Sequence, residues 1–349
     1  MRLQVTHVTD YHYEPGVSTA QHLACLLPRD LPSQRVHAAS LNILPRPESL
    51  QLQVDVFGNQ RHYFAIPHPH DTLKIEATCQ VETQPHPVRT VAEFGSLAWE
   101  SARDHFRYRA GTPWDAATEF VFASHHVPRD PVFEAYALPS FTPRRPLLEA
   151  AIDLMQRIHR EFNYVSQSTT IYTPVKQALA RREGVCQDFS HILLACLRSL
   201  GLSARYVSGY LLTVPQEGHT RLVGSDASHA WVSVYLPIQG DEISHAQGNK
   251  VGLPGPGQWI DLDPTNNRWG LHSPGPDFVT VALGRDFADV SPVRGVIFGG
   301  ARHTLKVGVT VEPLELAHSP PTTHHAPPTL VPTPSQPNSD HTGKASTNV

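Results

Sequence analysis

Three residues of this 349-residue chain, Cys186, His229 and Asp263, have types and local settings that together could carry out acyl transfer. Cys186 ends the loop Arg182-Glu183-Gly184-Val185 and begins a run whose apolar residues fall at Phe189, Ile192, Leu193, Cys196, Leu197 and Leu200, followed by Gly201. That i, i+3, i+4, i+7 spacing predicts a buried helical face closed by a glycine, with Cys186 in its first turn. Unpaired backbone N–H groups and the positive end of the helix dipole favour an anion at that place, the setting in which thiols ionise most readily. Cys196 lies on the apolar face and reads as core.

A thiolate also needs a proton donor for the leaving group and a partner to orient that donor. Ser228-His229-Ala230-Trp231-Val232-Ser233-Val234-Tyr235-Leu236 alternates, and predicts a strand with His229 at its start. Trp259-Ile260-Asp261-Leu262-Asp263-Pro264 predicts a short strand broken by proline, with Asp263 at its end, where a carboxylate could hold an imidazole in one tautomer. Asp226 is a second candidate orienter. The backbone N–H of Cys186 is the natural oxyanion donor, and Tyr164, in the loop before the nucleophile, is a candidate for a second. His191 is five residues beyond Cys186, nearly 500° around a helix, so it reads as a packing or locally hydrogen-bonded residue; Asp188 reads as a first-turn charge favoured by the dipole. Each of these residues alone is more often structural than catalytic.

The segments GVCQDFSH, SHAWVSVYLP and WIDLDPTNN resemble, in this order, the three signature segments of the transglutaminase-like superfamily of papain-related thiol enzymes. The opening strand, Pro28-Arg29 and Asp55-Val56-Phe57-Gly58-Asn59 resemble the N-terminal region that accompanies the bacterial members. Gly284-Arg285-Asp286-Phe287-Ala288-Asp289-Val290, with Pro292, Arg294 and Gly295 after it, is also similar to them, so the likeness runs over roughly residues 1–315. It implies Cys186 as nucleophile, His229 as general base and acid, and Asp263 as orienting carboxylate. Ser190 stands where such proteins often carry alanine, a departure that touches nothing catalytic. The resemblance further implies an α+β fold, with a papain-like or transglutaminase-like core in which the nucleophile helix packs on an antiparallel sheet.

The elements that must position these residues are predicted as follows. Residues 1–84 form a β-rich domain, a small sandwich, from runs such as Leu3 to Tyr13, Leu41 to Leu44, Leu50 to Val56, Gln60 to Ile66 and Leu73 to Glu82. Residues 85–146 form a helical connecting segment. Residues 147–315 form the catalytic core together with a C-terminal strand in which His303, Leu305, Val307, Val309 and Val311 alternate. In that core Leu148, Ala151, Ile152, Met155, Ile158, His159 and Phe162 mark an amphipathic helix, Pro174 opens a short one, and Ala204 to Thr213, Ala230 to Leu236 and Gln258 to Leu262 are the strands. Ile238 to Gly257, rich in Gly and Pro, reads as a surface loop. The tail, 316–349, is Pro, Ser, Thr and His without periodicity and reads as disordered.

Composition narrows the function further. A formal net charge of -4 with scattered Lys and Arg gives no basic stripe for nucleic acid, and no apolar run approaches the ~20 residues of a membrane span. Met1 to Val5 starts a strand pattern instead of a signal peptide, and four cysteines without CxxC spacing suit reduced thiols, so a cytosolic protein is expected. Twenty-two histidines invite a metal reading, but His68-Pro69-His70 and His125-His126 lack a third ligand at a defined distance and read as solvated loop residues. No glycine-rich phosphate loop is present, so neither a metal nor a cofactor is expected. The expected partner is a peptide or protein substrate, with the oligomeric state left open. The function expected is acyl transfer on amide bonds through a Cys thioester, with an amine acceptor (transglutaminase-like) or water (peptidase- or amidase-like). Two alternatives are a catalytically idle peptide-binding or assembly module on the same fold, and a function seated in the N-terminal β region.

Overall fold

The structure, a computed structural model, describes residues 1–84, 94, 96–111, 114–166, 168–213, 227–237, 257–300 and 302–314. The first five strands are β1 (Arg2–Ala24), β2 (Gln34–Leu44), β3 (Ser49–Val54), β4 (Gln60–Ile66) and β5 (His70–Thr83). They lie in the order β2-β5-β1-β4-β3. Strand β1 organises them. Its first half pairs with β5 and its second half with β4, with the β1–β5 register broken between His12 and Val17, around Glu14-Pro15-Gly16. The two halves therefore face different directions, and Tyr13, Val17, Leu26, Ile43, Phe64 and Ile75 meet in a core of their own. The two layers expected of a sandwich thus arise from one continuous antiparallel sheet curled at the bend in β1.

The second half of the molecule contains α1 (Trp99–His105), α2 (Pro131–Ala137), α3 (Leu147–Glu161), the short parallel pair β6 (Asn163–Tyr164) and β7 (Glu183–Gly184), α4 (Val175–Arg181) and α5 (Cys186–Ser199). Its sheet is formed by β8 (Ala204–Leu211), β9 (Ala227–Leu236), β10 (Gln258–Asp263), β11 (Arg268–Leu271) and β12 (Phe278–Gly284), in the order β11-β10-β9-β8-β12 and antiparallel throughout. Helix α5 is more deeply buried than a single apolar stripe predicts: every residue from Asp188 to Arg198 is shielded, because the sheet covers one side while α2, α3 and α4 cover the others. Arg198 tolerates this because its guanidinium donates to the carbonyls of Ala204, Phe122 and Arg285 and to Ser124 Oγ. Gly201, at φ +78°, ends the helix in the left-handed conformation.

Two features place the C-terminal part differently from expectation. Val293–Gly299 (β13) and Arg302–Pro313 (β14) do not join the catalytic sheet; both pair with β1. Alternation predicts a strand but not its partner, and the long β1 offers the edges they complete. Only Val309 and Val311 of the alternating set are buried, against Leu3 and Val5, while Leu305 and Val307 stay exposed. Strand β12, absent from the sequence reading, is buried at every residue. Its short apolar run has no period-2 signal because both of its faces are covered.

The outer edge of β12 is closed by two side-chain amides of the N-terminal sheet. Gln34 accepts from the Thr280 N–H at 2.8 Å and donates to its carbonyl at 2.7 Å. Asn59 does the same at Leu283, at 2.8 and 2.7 Å. A sheet edge that would otherwise hold unpaired backbone groups is thereby satisfied by the domain lying against it. The structural basis of the Asp55-to-Asn59 segment is visible here: Asp55 accepts from the N–H groups of Phe57 and Asn59 and pairs with Arg61, fixing the turn that carries Asn59. Residues 85–93, most of the 238–257 insert and the 316–349 tail lie outside the described residues.

Candidate active site

Cys186 is the first residue of α5, and the loop before it is held by Asp188. The Asp188 carboxylate accepts from the Val185 N–H at 2.8 Å and from Thr169 Oγ1 at 2.6 Å. Gly184 makes this possible, since a Cβ there would stand 2.7 Å from Asp188 Cβ. Asp188 therefore reaches back over the helix start, satisfying a donor next to Cys186 as well as complementing the dipole. Burial raises its carboxyl above the ordinary range, against the opposing effect of these hydrogen bonds.

His229 sits near the start of β9 and is 5 % exposed. Its Nε2 lies 2.8 Å from Asp263 Oδ2, and Asp263, at the end of β10, is wholly buried. Asp263 Oδ1 accepts from the N–H groups of Thr265, at 2.9 Å, and Asn266, at 3.3 Å, an Asx turn that fixes the carboxylate after the strand breaks at Pro264. The carbonyls of Pro264 and Thr265 in turn lie 3.2 and 3.1 Å from His159 Nδ1 on α3. Cys186 lies near enough to the same imidazole to favour its protonated form. With Nε2 engaged by Asp263, Nδ1 is the nitrogen left for sulfur.

The electrostatics follow from this packing. Burial by itself lowers an imidazole, yet the hydrogen bonds and charges of Asp263 and Cys186 outweigh it and push His229 up to about 10. Burial likewise opposes ionisation of Asp263, but the His229 partner and the donors of Asn266 and Thr265 hold its carboxyl below the ordinary value. The arrangement stores a cationic imidazolium between an anionic carboxylate and the sulfur. It can stabilise a thiolate and deliver a proton to a leaving group on the sulfur side.

Of the candidates read from sequence, Cys186, His229 and Asp263 come together. Tyr164, on β6, is about half exposed, stands edge-on to Phe189 at 6.2 Å between centroids, and has its phenol raised by burial and then by the nearby Cys186 and Asp188. It is therefore within electrostatic reach of the sulfur, with no hydrogen bond among the described residues that aims its hydroxyl. Asp226 lies outside the described residues. His191 is buried against Tyr206 and His126 and accepts from the Phe287 N–H at 3.2 Å, away from the thiol. The histidines expected to be solvated are partly packed: His70 is buried, and His126 stacks on His191 with ring centroids 5.2 Å apart. Among the described residues no group of three or more metal-ligating side chains converges.

Asn266 is the residue sequence reasoning passed over. Its Nδ2 donates to Asp263 Oδ2 at 2.7 Å and lies 3.2 Å from His229 Nε2, so it braces both partners. An amide three residues after an aspartate that precedes proline is the signal that could have found it, because the Asx turn returns its side chain to the aspartate. Asp261, on the same face of β10 as Asp263, accepts from Trp231 Nε1 at 2.8 Å and from Ser233 Oγ. Trp231 is thereby locked beside the His229 ring, at 6.0 Å between centroids.

Comparison with known proteins agrees with this architecture. Residues 3–82 match the bacterial transglutaminase-like N-terminal region, and residues 136–264 match the transglutaminase-like superfamily core. An uncharacterized protein of Mycobacterium tuberculosis is 40% identical over 316 residues, covering 90% of this chain and 93% of that one. An uncharacterized protein of Mycobacterium leprae is 27% identical, covering 89% and 98%. Among solved structures, a protein of Cytophaga hutchinsonii provisionally described as a cysteine protease superposes with a TM-score of 0.62 at 21% identity, over 90% of this chain and 92% of that one, a likeness of fold. No helix among the described residues is long and apolar enough to cross a membrane. By its matched regions, its relatives and its fold, the chain belongs to the transglutaminase-like superfamily and carries the bacterial transglutaminase-like N-terminal region.

Proposed function

We propose that the protein is a thiol-dependent acyl-transfer enzyme acting on amide bonds of a peptide or protein, with Cys186 as nucleophile, His229 as general acid and base, and Asp263 as the residue orienting His229. The observation that carries this reading is the buried imidazole, hydrogen-bonded to a buried carboxylate and within electrostatic reach of a thiol at a helix start. In the first step Sγ of Cys186 forms a bond to the amide carbon and the carbonyl electron pair moves to oxygen. Backbone N–H at the start of α5 supports that oxyanion, with Tyr164 the candidate for a second donor. The oxyanion then collapses, the C–N bond breaks, and the leaving nitrogen takes the proton from His229. In the second step an amine or water attacks the thioester, passes its proton to His229, and releases the Cys186 thiolate.

An amine acceptor makes the reaction a transamidation and water makes it a hydrolysis. The chemistry of the three residues serves both. The four cysteines carry no disulfide, and Cys25, Cys79 and Cys196 are buried, which supports the proposed cytosolic setting. The test is intact-mass labelling with limiting iodoacetamide from pH 5 to 9, comparing wild type with Cys186→Ala and His229→Ala. A single adduct formed well below the ~8.5 of a free thiol, abolished by the first change and slowed by the second, is expected. Glutamine-containing peptides with and without a primary amine then separate the two acceptors. If Cys186 labels only at alkaline pH and no faster than Cys25 or Cys79, the enzyme reading fails and a peptide-binding module takes its place.

A further inference from the structure

A recess of about 1230 Å³ opens where the Asp55-to-Phe57 turn of the N-terminal sheet faces the catalytic sheet. It is remote from the thiol. His229 and Tyr235 both project from the same face of β9 and are six residues apart, about 20 Å along a strand, and only Tyr235 lines the recess. In register, Arg205 faces Ser233, Val207 faces Trp231 and Gly209 faces His229. The wholly buried Trp231, packed edge-on to Phe278, thus stands between the recess and the imidazole.

The wall is aromatic and continuous. Phe57 packs on Phe120, Phe120 meets Trp259 edge-on at 5.5 Å, and Trp259 meets Tyr235 at 4.9 Å. Over the Trp259 ring, 4.0 Å from its centroid, lies the guanidinium carbon of Arg205. The other arginines around this space are committed: Arg61 to Asp55 and the Asp289 carbonyl, Arg285 to Asp289, and Arg29 to the Phe57 carbonyl. Arg205 makes no hydrogen bond among the described residues, and its Nε is both shielded from solvent and unpartnered. Asp261 lies close enough to act on it electrostatically, but its oxygens are taken by Trp231 and Ser233.

A planar cation stacked on an indole, with its fork of donors open to an aromatic-walled recess, has the geometry that receives a carboxylate bidentately while an apolar body lies on the rings. The volume exceeds the ~300–1,000 Å³ common for small-molecule sites, so there is room for an acid with some chain attached. We propose that this recess is a binding site, separate from the thiol centre, for a carboxylic acid borne on an aromatic or apolar group, held by Arg205 over Trp259. That acid can be a free small molecule or the C-terminal residue of a peptide.

The test uses the full-length protein, with calorimetry and tryptophan emission as readouts. The probes are N-acetyl-phenylalanine and Gly-Gly-Phe, each with a free carboxylate, and the same two compounds as carboxamides. The acids are expected to bind at least about tenfold more tightly than their amides, the value of a hydrogen bond to a charged group. Arg205→Gln should bring the acids down to the affinity of the amides, and Arg205→Lys, which keeps the charge without the fork, should fall between. Preference for the tripeptide acid assigns the site to a peptide terminus, and preference for the single residue assigns it to a small acid. Equal affinity for acid and amide, or no binding of either acid up to about 10 mM, overturns the proposal. The acid-to-amide comparison stands on the wild-type protein even if Arg205→Gln does not fold. Alkylation of Cys186 should be the same in wild type and Arg205→Gln, so failure here and failure of the thiol-enzyme reading are distinguishable.

Discussion

Replacing Asp263 by asparagine tests whether the carboxylate acts through the proton on His229. The rise of that imidazole from its ordinary 6.5 to about 10 corresponds to about 5 kcal/mol of net preference for the cation, shared between Asp263 and Cys186 after the opposing effect of burial. A buried hydrogen bond to a charged group contributes about 1.5–3 kcal/mol of this. In Asp263→Asn the amide keeps the shape and the Asx turn but holds no charge. The imidazolium-thiolate pair should therefore be about 10- to 100-fold less populated near pH 7. Second-order alkylation rates of Cys186, read by intact mass from pH 5 to 10, should fall by that factor at pH 6–7 and converge with wild type as the pH passes the ~8.5 at which an unassisted thiol ionises. Thermal unfolding of the variant checks that the fold is kept. Superimposable profiles, or a loss by the same factor at every pH, would refute the reasoning, because neither outcome involves the proton on His229.

Other changes probe the supports. Asn266→Ala removes one donor from Asp263 and should slow alkylation near pH 7 by only a few-fold, in the same pH-dependent manner, by the same mass assay. Asn59→Ala strands the buried N–H and carbonyl of Leu283 and should cost about 3 kcal/mol, lowering Tm by several degrees in calorimetry while leaving the pH profile of alkylation unchanged. Burial holds His7 and His22 down at about 4, so each is neutral in the fold while the unfolded chain takes up a proton below ~6.5. Stability should fall as the pH drops from about 6.5 to about 4, by up to about 3 kcal/mol for each group. His229 works in the opposite sense: its stabilisation is complete below about 6.5 and is lost as pH rises through about 10. Among the described residues both ring nitrogens of His22 are unpaired, and the ring stacks on Phe64 at 5.2 Å, so His22→Phe should raise Tm, and more at pH 5 than at pH 8.

Much of the site was legible in the chain because its parts are set by local rules. The apolar spacing after Cys186 and the stop at Gly201 place the thiol at a helix start, alternation places His229 on a strand, and Pro264 places Asp263 at a strand end. What these patterns do not contain is the third dimension of each element. The strand after Arg302 alternates as expected, yet its partner is β1, because a period of two records which side chains share a face and not which edge is free. The run that forms β12 has no period at all, since the sheet and its neighbours bury both faces.

By itself the sequence determined the kind of the elements that carry Cys186, His229 and Asp263, and singled out those three residues. Only the tertiary structure decided what energises them. The placement of His229 between Asp263 and Cys186 sets its charge against the cost of burial, and the Asx turn that returns Asn266 sets its support. The same holds for the edge of β12 sealed by Gln34 and Asn59, and for the guanidinium of Arg205 stacked over Trp259. Apart from the local Asx turn, each joins residues from 34 to 246 positions apart or depends on which donors a neighbour has already taken. Propensity and periodicity act over a few residues, whereas desolvation and hydrogen-bond satisfaction are properties of the completed packing.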